Sequence, residues 1–248
     1  MRRFTLASAV TALLTLPAMA ADMPVKTPAP LMAAVYSWTG FYVGGHLGFG
    51  WGRSSINDID NLCLGVSNCP NPPDRYHFDG IIGGGQAGYN WQTGNLVFGA
   101  EADFSFSGMK ETTGLIRTTL TLATKIDWFG TARLRLGYAA DRALFYVTGG
   151  LAYANVENSF LDVGCGTPCV LVASDVKFGW TAGGGLEYAF APNWSVRAEY
   201  LYVDLEKSKG ISDRCSPGCR FEWENRFHIA RAALNYRFGS AGPVIARY

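Results

Sequence analysis

The sequence predicts an all-β fold, an eight-stranded antiparallel up-and-down transmembrane β-barrel with long extracellular loops and short periplasmic turns. The first observation is a strict alternation of apolar and polar residues over several long stretches, which is the pattern of strands with two unlike faces. The second is that tight turns and long Pro-, Gly- and Asn-rich segments follow these stretches in alternation. The third is that no apolar run beyond residue 20 could cross a bilayer as a helix, although 48% of the residues are hydrophobic.

The N-terminal segment has the features of a signal peptide. Arg2 and Arg3 precede a short apolar stretch, and an Ala-Met-Ala sequence ends at Ala20, so we expect residues 1–20 to be removed. A retained transmembrane helix is the alternative, but it needs about 20 apolar residues. Residues 21–35 contain three prolines and are predicted to form a periplasmic linker.

Charge gives no indication of a nucleic-acid partner. Removing Arg2 and Arg3 lowers the 21 basic residues to 19, against 20 acidic residues. A nucleic-acid-binding domain would show a clear basic excess. We therefore expect contacts with outer-membrane lipid and not with nucleic acid.

The first three strands are predicted at residues 38–51, 76–91 and 96–106. The third is the clearest, because its even positions are apolar from Leu96 to Phe106. Glu101 and Asp103 occupy the odd positions, so one face is apolar and the other charged. A tight turn at residues 93–95 makes the second and third strands a hairpin.

Five further strands are predicted at residues 124–139, 145–153, 174–190, 194–202 and 221–238. In the fourth, Ile126, Trp128 and Leu134 share the apolar face, opposite Asp127 and Arg133. The others place Phe145 and Val147, Phe178 and Trp180, Val196 and Tyr200, and Leu234 and Tyr236 on that face. Tight turns are predicted at residues 140–142 and 191–193, and loops at 53–75, 109–123, 157–173 and 207–220.

An internal repeat supports this count. Gly88-Tyr89, Gly137-Tyr138 and Glu187-Tyr188 each end a strand before a tight turn, at steps of 49 and 50 residues. A propeller blade has a similar period but contains four short strands, whereas each step here holds two long ones. Strands survive in a bilayer only in a closed barrel. Aromatic residues beside the turns are expected to form a periplasmic girdle: Tyr89, Trp91, Tyr138, Tyr188, Phe190 and Trp194.

The polar faces of the strands predict a charged barrel interior. Its members would be Glu101, Asp103, Asp127, Arg133, Arg135, Lys177, Glu187, Arg197, Glu199, Arg231 and Arg237. An eight-stranded barrel is only wide enough for side chains to fill, so this near-balanced set predicts a largely plugged lumen. Two alternatives place the same charges on solvated surfaces, in a soluble sheet or in a soluble ligand-binding barrel. The first would expose the apolar opposite faces of the strands to water, and the second would leave the aromatic girdle without a role.

Six cysteines are expected to oxidise in an exported chain. They form three close pairs, each within one predicted loop: Cys63 and Cys69, Cys165 and Cys169, and Cys215 and Cys219. Three local disulfides are the simplest of the 15 possible pairings. A zinc site, the alternative, would need two pairs brought together.

The sequence also resembles a known family. The motifs are Trp38-Thr-Gly-Phe-Tyr-Val-Gly-Gly, Gly88-Tyr-Asn-Trp, Phe98-Gly-Ala-Glu-Ala-Asp103 and the terminal Leu234-Asn-Tyr-Arg-Phe238. In combination they resemble the small outer-membrane β-barrel (porin-family) surface proteins of alpha-proteobacteria. The resemblance implies a bacterial outer-membrane location, an eight-stranded barrel at residues 36–238, and roles in envelope integrity and in contact with a host or surface. Family members often end on the aromatic residue of the last strand, so either Phe238 or Tyr248, after the extension 239–248, would be recognised by the barrel-insertion machinery.

The function predicted from these features is structural and surface-display, with a narrow porin for small solutes as the alternative. An outer-membrane enzyme on the same fold is a third possibility. It would depend on the three histidines, His46, His77 and His228, and no Ser/His/acid grouping is evident. We therefore predict no enzyme activity, no metal and no cofactor. Surface ligands of the loops and the oligomeric state are left open.

Overall fold

The computed structural model describes residues 36–58, 75–114, 120–162, 169–212 and 219–238. The predictions for the signal peptide (1–20), the linker (21–35) and the extension (239–248) lie outside these residues. Within them, no helix is long and apolar enough to cross a membrane. The strands are β1 (Gly40–Asp58), β2 (Arg75–Thr93), β3 (Leu96–Gly114), β4 (Leu120–Ala140), β5 (Ala143–Asp162), β6 (Cys169–Ala189), β7 (Trp194–Leu205), β8 (Ser208–Ser212) and β9 (Cys219–Arg237).

The strands form one closed antiparallel sheet. From β1 to β7 each strand pairs with the next along the chain, and β9 pairs with both β7 and β1. The short β8 also pairs with β9 and continues the edge of β7 after residues 206–207. The described residues therefore form an eight-stranded barrel whose seventh strand is interrupted, which confirms the predicted fold class.

The strands are longer than predicted at one end of the barrel. The predicted loop at 109–123 is shortened, because β3 extends to Gly114 and β4 begins at Leu120. Strands of 19 to 21 residues exceed the roughly 9–11 residues that cross a bilayer. We call the end of the barrel that carries these strand extensions the loop end. The opposite end, with turns 94–95, 141–142 and 190–193, is called the turn end.

Exposure follows the alternation in the half of the barrel nearer the turn end. On β3, Phe98 is 48% exposed and Phe106 69%, while Glu101 is 3% and Asp103 4% exposed. On the outer face of β4, aromatic residues stand at Tyr138 and at Trp128. These two lie ten residues apart, which is about 33 Å along the strand and about 25 Å along the membrane normal at a tilt of about 40°. This height matches the apolar band of outer-membrane barrels.

A β-bulge changes the faces of β4. The pairing with β5 shifts between Ile126 and Trp128, so Asp127 is an extra residue on β4. An inserted residue reverses the alternation between the two parts of the strand that it separates. Ile126 is consequently fully buried in the interior, and the prediction that it lies on the apolar outer face is wrong.

Candidate functional site

The barrel interior contains three layers along the barrel axis. The middle one, called the ionic layer, consists of Glu101, Asp103, Arg133, Arg135, Glu187, Arg197, Glu199 and Arg231. Nearer the loop end lies the apolar layer, with Phe78, Ile82, Met109, Ile126, Phe129, Ala152, Ala154, Val156, Leu201, Val203, Leu205, Phe227 and Ile229. Nearer the turn end lies the cap, with Tyr36, Trp38, Val97, Ala139, Leu144, Tyr146 and Ala189.

Arg133 on β4 is at the centre of the ionic layer. Its Nη2 lies 2.5 Å from Glu101 Oε1 and 2.9 Å from Asp103 Oδ2, and its Nη1 lies 3.1 Å from Glu199 Oε1. All four side chains are fully buried. Glu101 is the direct neighbour of Arg133 on β3, whereas Glu199 on β7 comes from across the barrel. This one guanidinium therefore connects opposite walls.

Two further arginines share Glu187. Arg135 Nη2 lies 2.9 Å from Glu187 Oε2, and Arg197 Nη2 lies 3.1 Å from the same oxygen. Arg197 Nη1 also lies 2.6 Å from Glu101 Oε2. Because buried charges are costly unless paired, this sharing of each carboxylate between arginines is what allows four cations and four anions to occupy a buried interior.

Arg231 on β9 completes the ionic layer. Its Nη2 lies 2.6 Å from Glu199 Oε2 and 3.0 Å from Asp103 Oδ2. On the neighbouring β1 the residue opposite Arg231 is Gly48. A Cβ added to Gly48 would lie only 2.7 Å from Cβ of Arg231. Gly48 thus provides the space through which this side chain enters the layer.

Two tyrosines that the sequence analysis did not select also belong here. The Tyr42 hydroxyl donates to Glu101 Oε2 at 2.5 Å and accepts from Arg135 Nη1 at 2.8 Å. The Tyr146 hydroxyl donates to Glu199 Oε1 at 2.7 Å, and the Arg135 guanidinium lies 4.0 Å from the Tyr146 ring centre. Their position on the inward face of β1 and β5 is the sequence signal that could have identified them.

The cap closes the turn end with residues that precede β1. Trp38 is 2% exposed, its backbone N–H donates to Gln92 Oε1 at 2.6 Å, and its Nε1 donates to the Asp141 carbonyl at 3.2 Å. The Tyr36 ring packs edge-to-face on Trp38 and beneath the Arg237 guanidinium, 4.5 Å away. Burial raises the pKa of the Tyr36 phenol, and the charge of Arg237 opposes this. The first predicted strand therefore begins only at Gly40.

Three residues predicted for the charged interior do not belong to the ionic layer. Asp127, displaced by the bulge, pairs with Lys125 at 2.5 Å, and both are partly exposed. Lys177 lies on β6 toward the loop end, away from the ionic layer, and pairs there with Asp175 at 3.0 Å. Arg237, near the end of β9, donates to the Pro192 carbonyl at 2.9 Å and contacts the cap instead of a carboxylate of the ionic layer. Their assignment to one network with the ionic layer is wrong.

The match to known proteins agrees with this architecture. Residues 7–238 match the family model described as the outer membrane protein beta-barrel domain.

The chain belongs to this family.

The relatives of this chain are outer-membrane proteins. The 31 kDa outer-membrane immunogenic protein of Brucella melitensis is 40% identical over 254 residues, covering 96% of this chain and 100% of the relative. The 25 kDa outer-membrane immunogenic protein of Brucella abortus is 31% identical, covering 71% and 70%. The 22 kDa outer membrane protein of Rhizobium leguminosarum is 32% identical, covering 68% and 65%. The protein is thus an outer-membrane β-barrel of the bacterial cell, related to alpha-proteobacterial proteins, as the resemblance predicted.

Among solved structures, OprG from Pseudomonas aeruginosa is similar, with 11% identity, a TM-score of 0.43, and coverage of 81% of this chain and 97% of OprG. Neisserial surface protein A has 14% identity and a TM-score of 0.38, covering 81% and 98%.

The histidines of this barrel lie in different environments. His46 is buried inside, with Nδ1 2.6 Å from Gln86 Oε1 and Nε2 2.8 Å from Ser105 Oγ. This Ser–His pair has an amide where a catalytic triad has a carboxylate, and Ser105 is fully buried. His77 and His228 lie on the outer face, on β2 and β9. Among the described residues, no group of His, Cys, Asp and Glu could hold a metal.

Proposed function

We propose that this outer-membrane barrel is a structural, envelope-integrity and surface-display protein whose interior does not conduct. The observation that carries the proposal is the ionic layer, in which four arginines and four carboxylates are almost completely buried and link opposite walls. Such cross-links resist deformation of the barrel, because separating any pair would take from a buried charge one of its partners.

A narrow porin for small solutes is the alternative. A porin needs a continuous polar path. The apolar layer weighs against such a path, since Phe129, Leu201 and Phe227 are among its fully buried side chains. The cap, which covers the opposite side of the ionic layer, weighs against it as well.

The display role is supported by the strand extensions at the loop end. There the outward residues are charged, as with Lys110 and Arg226, while Met109 and Phe227 beside them are buried. A polar outside and an apolar inside are features of a water-exposed barrel. We infer that this part projects beyond the bilayer and carries the loops outward. The relatives named as immunogenic are consistent with such exposure.

Single-channel recording tests the main proposal. The refolded mature protein in a planar bilayer is expected to be silent or to show only rare small steps. A steady, charge-selective conductance would overturn the closed interior and support the porin.

A strain lacking the gene, complemented with wild type, is expected to regain resistance to detergent. Failure to regain it would contradict the envelope role.

The two ends of the chain can be tested separately. We propose cleavage after Ala20, so that N-terminal sequencing of the exported protein begins at Ala21.

We propose recognition of the last strand by the insertion machinery. Deleting residues 239–248 separates the two candidate signals, because insertion persists if Phe238 is read and fails if Tyr248 is read.

We also propose that the cysteines form three local disulfides. Four of them lie outside the described residues, and Cys169 and Cys219 begin β6 and β9. Peptide mapping of the unreduced protein is expected to yield only fragments linked within one loop. A fragment that joins two loops would contradict this pairing.

A further inference from the structure

A groove opens on the lipid-facing wall where β9 lies between β1 and β7. Its volume is about 780 Å³, and Ala230 and Ala232 of β9 line it. In register, Ala230 lies between Phe49 of β1 and Tyr200 of β7. The methyl groups therefore form a floor, and the larger rings on either side form walls. Leu47, 66% exposed, extends one wall, so the groove has the shape and polarity that suit a hydrocarbon chain.

An aromatic shelf lies directly above the groove toward the loop end. In register, His228 of β9 lies between Trp51 and Tyr202. The His228 and Trp51 rings stack with centres 5.7 Å apart and planes at 19°. His228 Nδ1 is hydrogen-bonded to the Tyr200 hydroxyl at 2.6 Å. Flat rings with polar edges are typical of the level where lipid headgroups begin.

A charged row follows above the shelf. Arg226 of β9 lies between Arg53 of β1 and Asp204 of β7. Arg226 is already neutralised, since its Nε lies 3.2 Å from Asp204 Oδ2 and its Nη2 donates to Glu224.

Arg53, by contrast, makes no ion pair with any residue in the described part of the chain, and it is exposed. Its cross-strand neighbour on the other side is His77 of β2. Two guanidiniums opposite each other repel, and a phosphate beside Arg53 would offset that repulsion with charge-assisted hydrogen bonds. The nearby carboxylate Asp79 lies in register with Lys110 of β3.

We propose that this face binds one phosphorylated lipid of the outer leaflet. An acyl chain lies in the groove, the region between chain and headgroup rests on the Trp51–His228 shelf, and a phosphate contacts Arg53. From Leu47 to Arg53 the outward face of β1 rises about 20 Å along the strand, or about 15 Å along the normal at a tilt of about 40°. This is half the roughly 30 Å hydrocarbon core, the depth of one leaflet.

Native mass spectrometry of the full-length mature barrel in detergent tests the proposal, with diphosphoryl lipid A as the probe and phosphatidylcholine as the reference lipid. Wild type is expected to retain one lipid A and to release phosphatidylcholine. Arg53→Ala removes the cation, and Ala230→Phe fills the groove. Arg53→Ala is expected to lower the retained fraction about tenfold, as for the loss of one charge-assisted hydrogen bond. Ala230→Phe is expected to lower it as well, because its ring occupies the space of the acyl chain.

Two matched variants serve as controls. Lys125→Ala removes a cation at the same end of the barrel, and Ala102→Phe adds a ring to the lipid-facing side of β3. Both are expected to retain lipid A as wild type does. Urea unfolding verifies that each variant folds, and Arg53→Gln replaces Arg53→Ala if the latter does not.

Three results would overturn the proposal. One is equal retention of phosphatidylcholine, which would indicate nonspecific annular lipid. Another is equal loss of lipid A in the site variants and the controls. The last is complete displacement of lipid A by inorganic phosphate at low concentration, which would show a simple anion site instead of a lipid site.

Discussion

The two halves of the barrel have opposite polarity. In the half nearer the turn end, Phe98 and Leu134 face outward and Glu101 and Arg133 face inward. In the half nearer the loop end, Lys110 and Arg226 face outward, and apolar side chains such as Phe227 fill the interior. The same antiparallel sheet is thus a membrane barrel over one part of its length and a water-exposed barrel over the other. The surrounding phase, and not the fold, therefore decides which face of a strand is apolar.

The ionic half should be the more sensitive to substitution. Arg133→Ala leaves Glu101, Asp103 and Glu199 short of a partner, so we expect the free energy of unfolding to fall by about 3–5 kcal/mol. Urea unfolding in lipid vesicles measures this, with Arg142→Ala in the exposed β4–β5 turn as the control. Unchanged stability together with unchanged conductance would contradict the plugged interior.

The apolar half should respond through lost packing. Phe227 is fully buried and its ring contacts those of Phe78 and Phe129. We expect Phe227→Ala to lower the free energy of unfolding by about 3–4 kcal/mol, because it removes a large buried ring. Phe227→Leu should lose less in the same urea titration. Equal losses for the two variants would indicate that the ring is not packed inside.

The cap should contribute less than either layer. Trp38 lies in a segment that precedes β1 and is held by hydrogen bonds to Gln92 and Asp141. We expect Trp38→Ala to cost about 2–3 kcal/mol, somewhat under the usual loss for a buried tryptophan, since this segment can relax. Hydrogen exchange should show faster exchange at the turn end and unchanged exchange in the apolar layer. Faster exchange throughout would contradict a local cap.

The smallest effect is expected at the bulge. Asp127 pairs only with the partly exposed Lys125 among the described residues, so Asp127→Ala should change the free energy of unfolding by no more than about 0.5 kcal/mol. The urea titration used for Arg133→Ala applies here too. A loss as large as that of Arg133→Ala would place Asp127 back in the ionic layer.

The comparison also explains what sequence could and could not predict. Period-two alternation identifies the strands and the inward face because a bilayer tolerates no polar residues on the outside. It places Glu101 and Arg133 on one face, but the contact from Arg133 to Glu199 spans the barrel and depends on its diameter. The spacing of residues along the chain does not give the distance across the barrel.

The reversal of polarity and the bulge are absent from the sequence-based prediction for different reasons. Leu201, Val203 and Leu205 continue the inward face of Arg197 and Glu199, so the signal for an apolar layer was present in the parity. A prediction that assigns one polarity to the whole strand does not use this signal. The bulge at Asp127 depends on pairing with β5, and the order Ile126-Asp127-Trp128 alternates as it would in a strand without a bulge.

The cap has a consequence for the order of assembly. Its tryptophan contacts the β2–β3 and β4–β5 hairpin ends, and its tyrosine packs beneath Arg237 of the final strand. Only the packing of Tyr36 beneath Arg237 requires that the first and last strands have met. The complete cap therefore forms after the sheet has closed, and the burial of Tyr36 marks a nascent barrel that is complete.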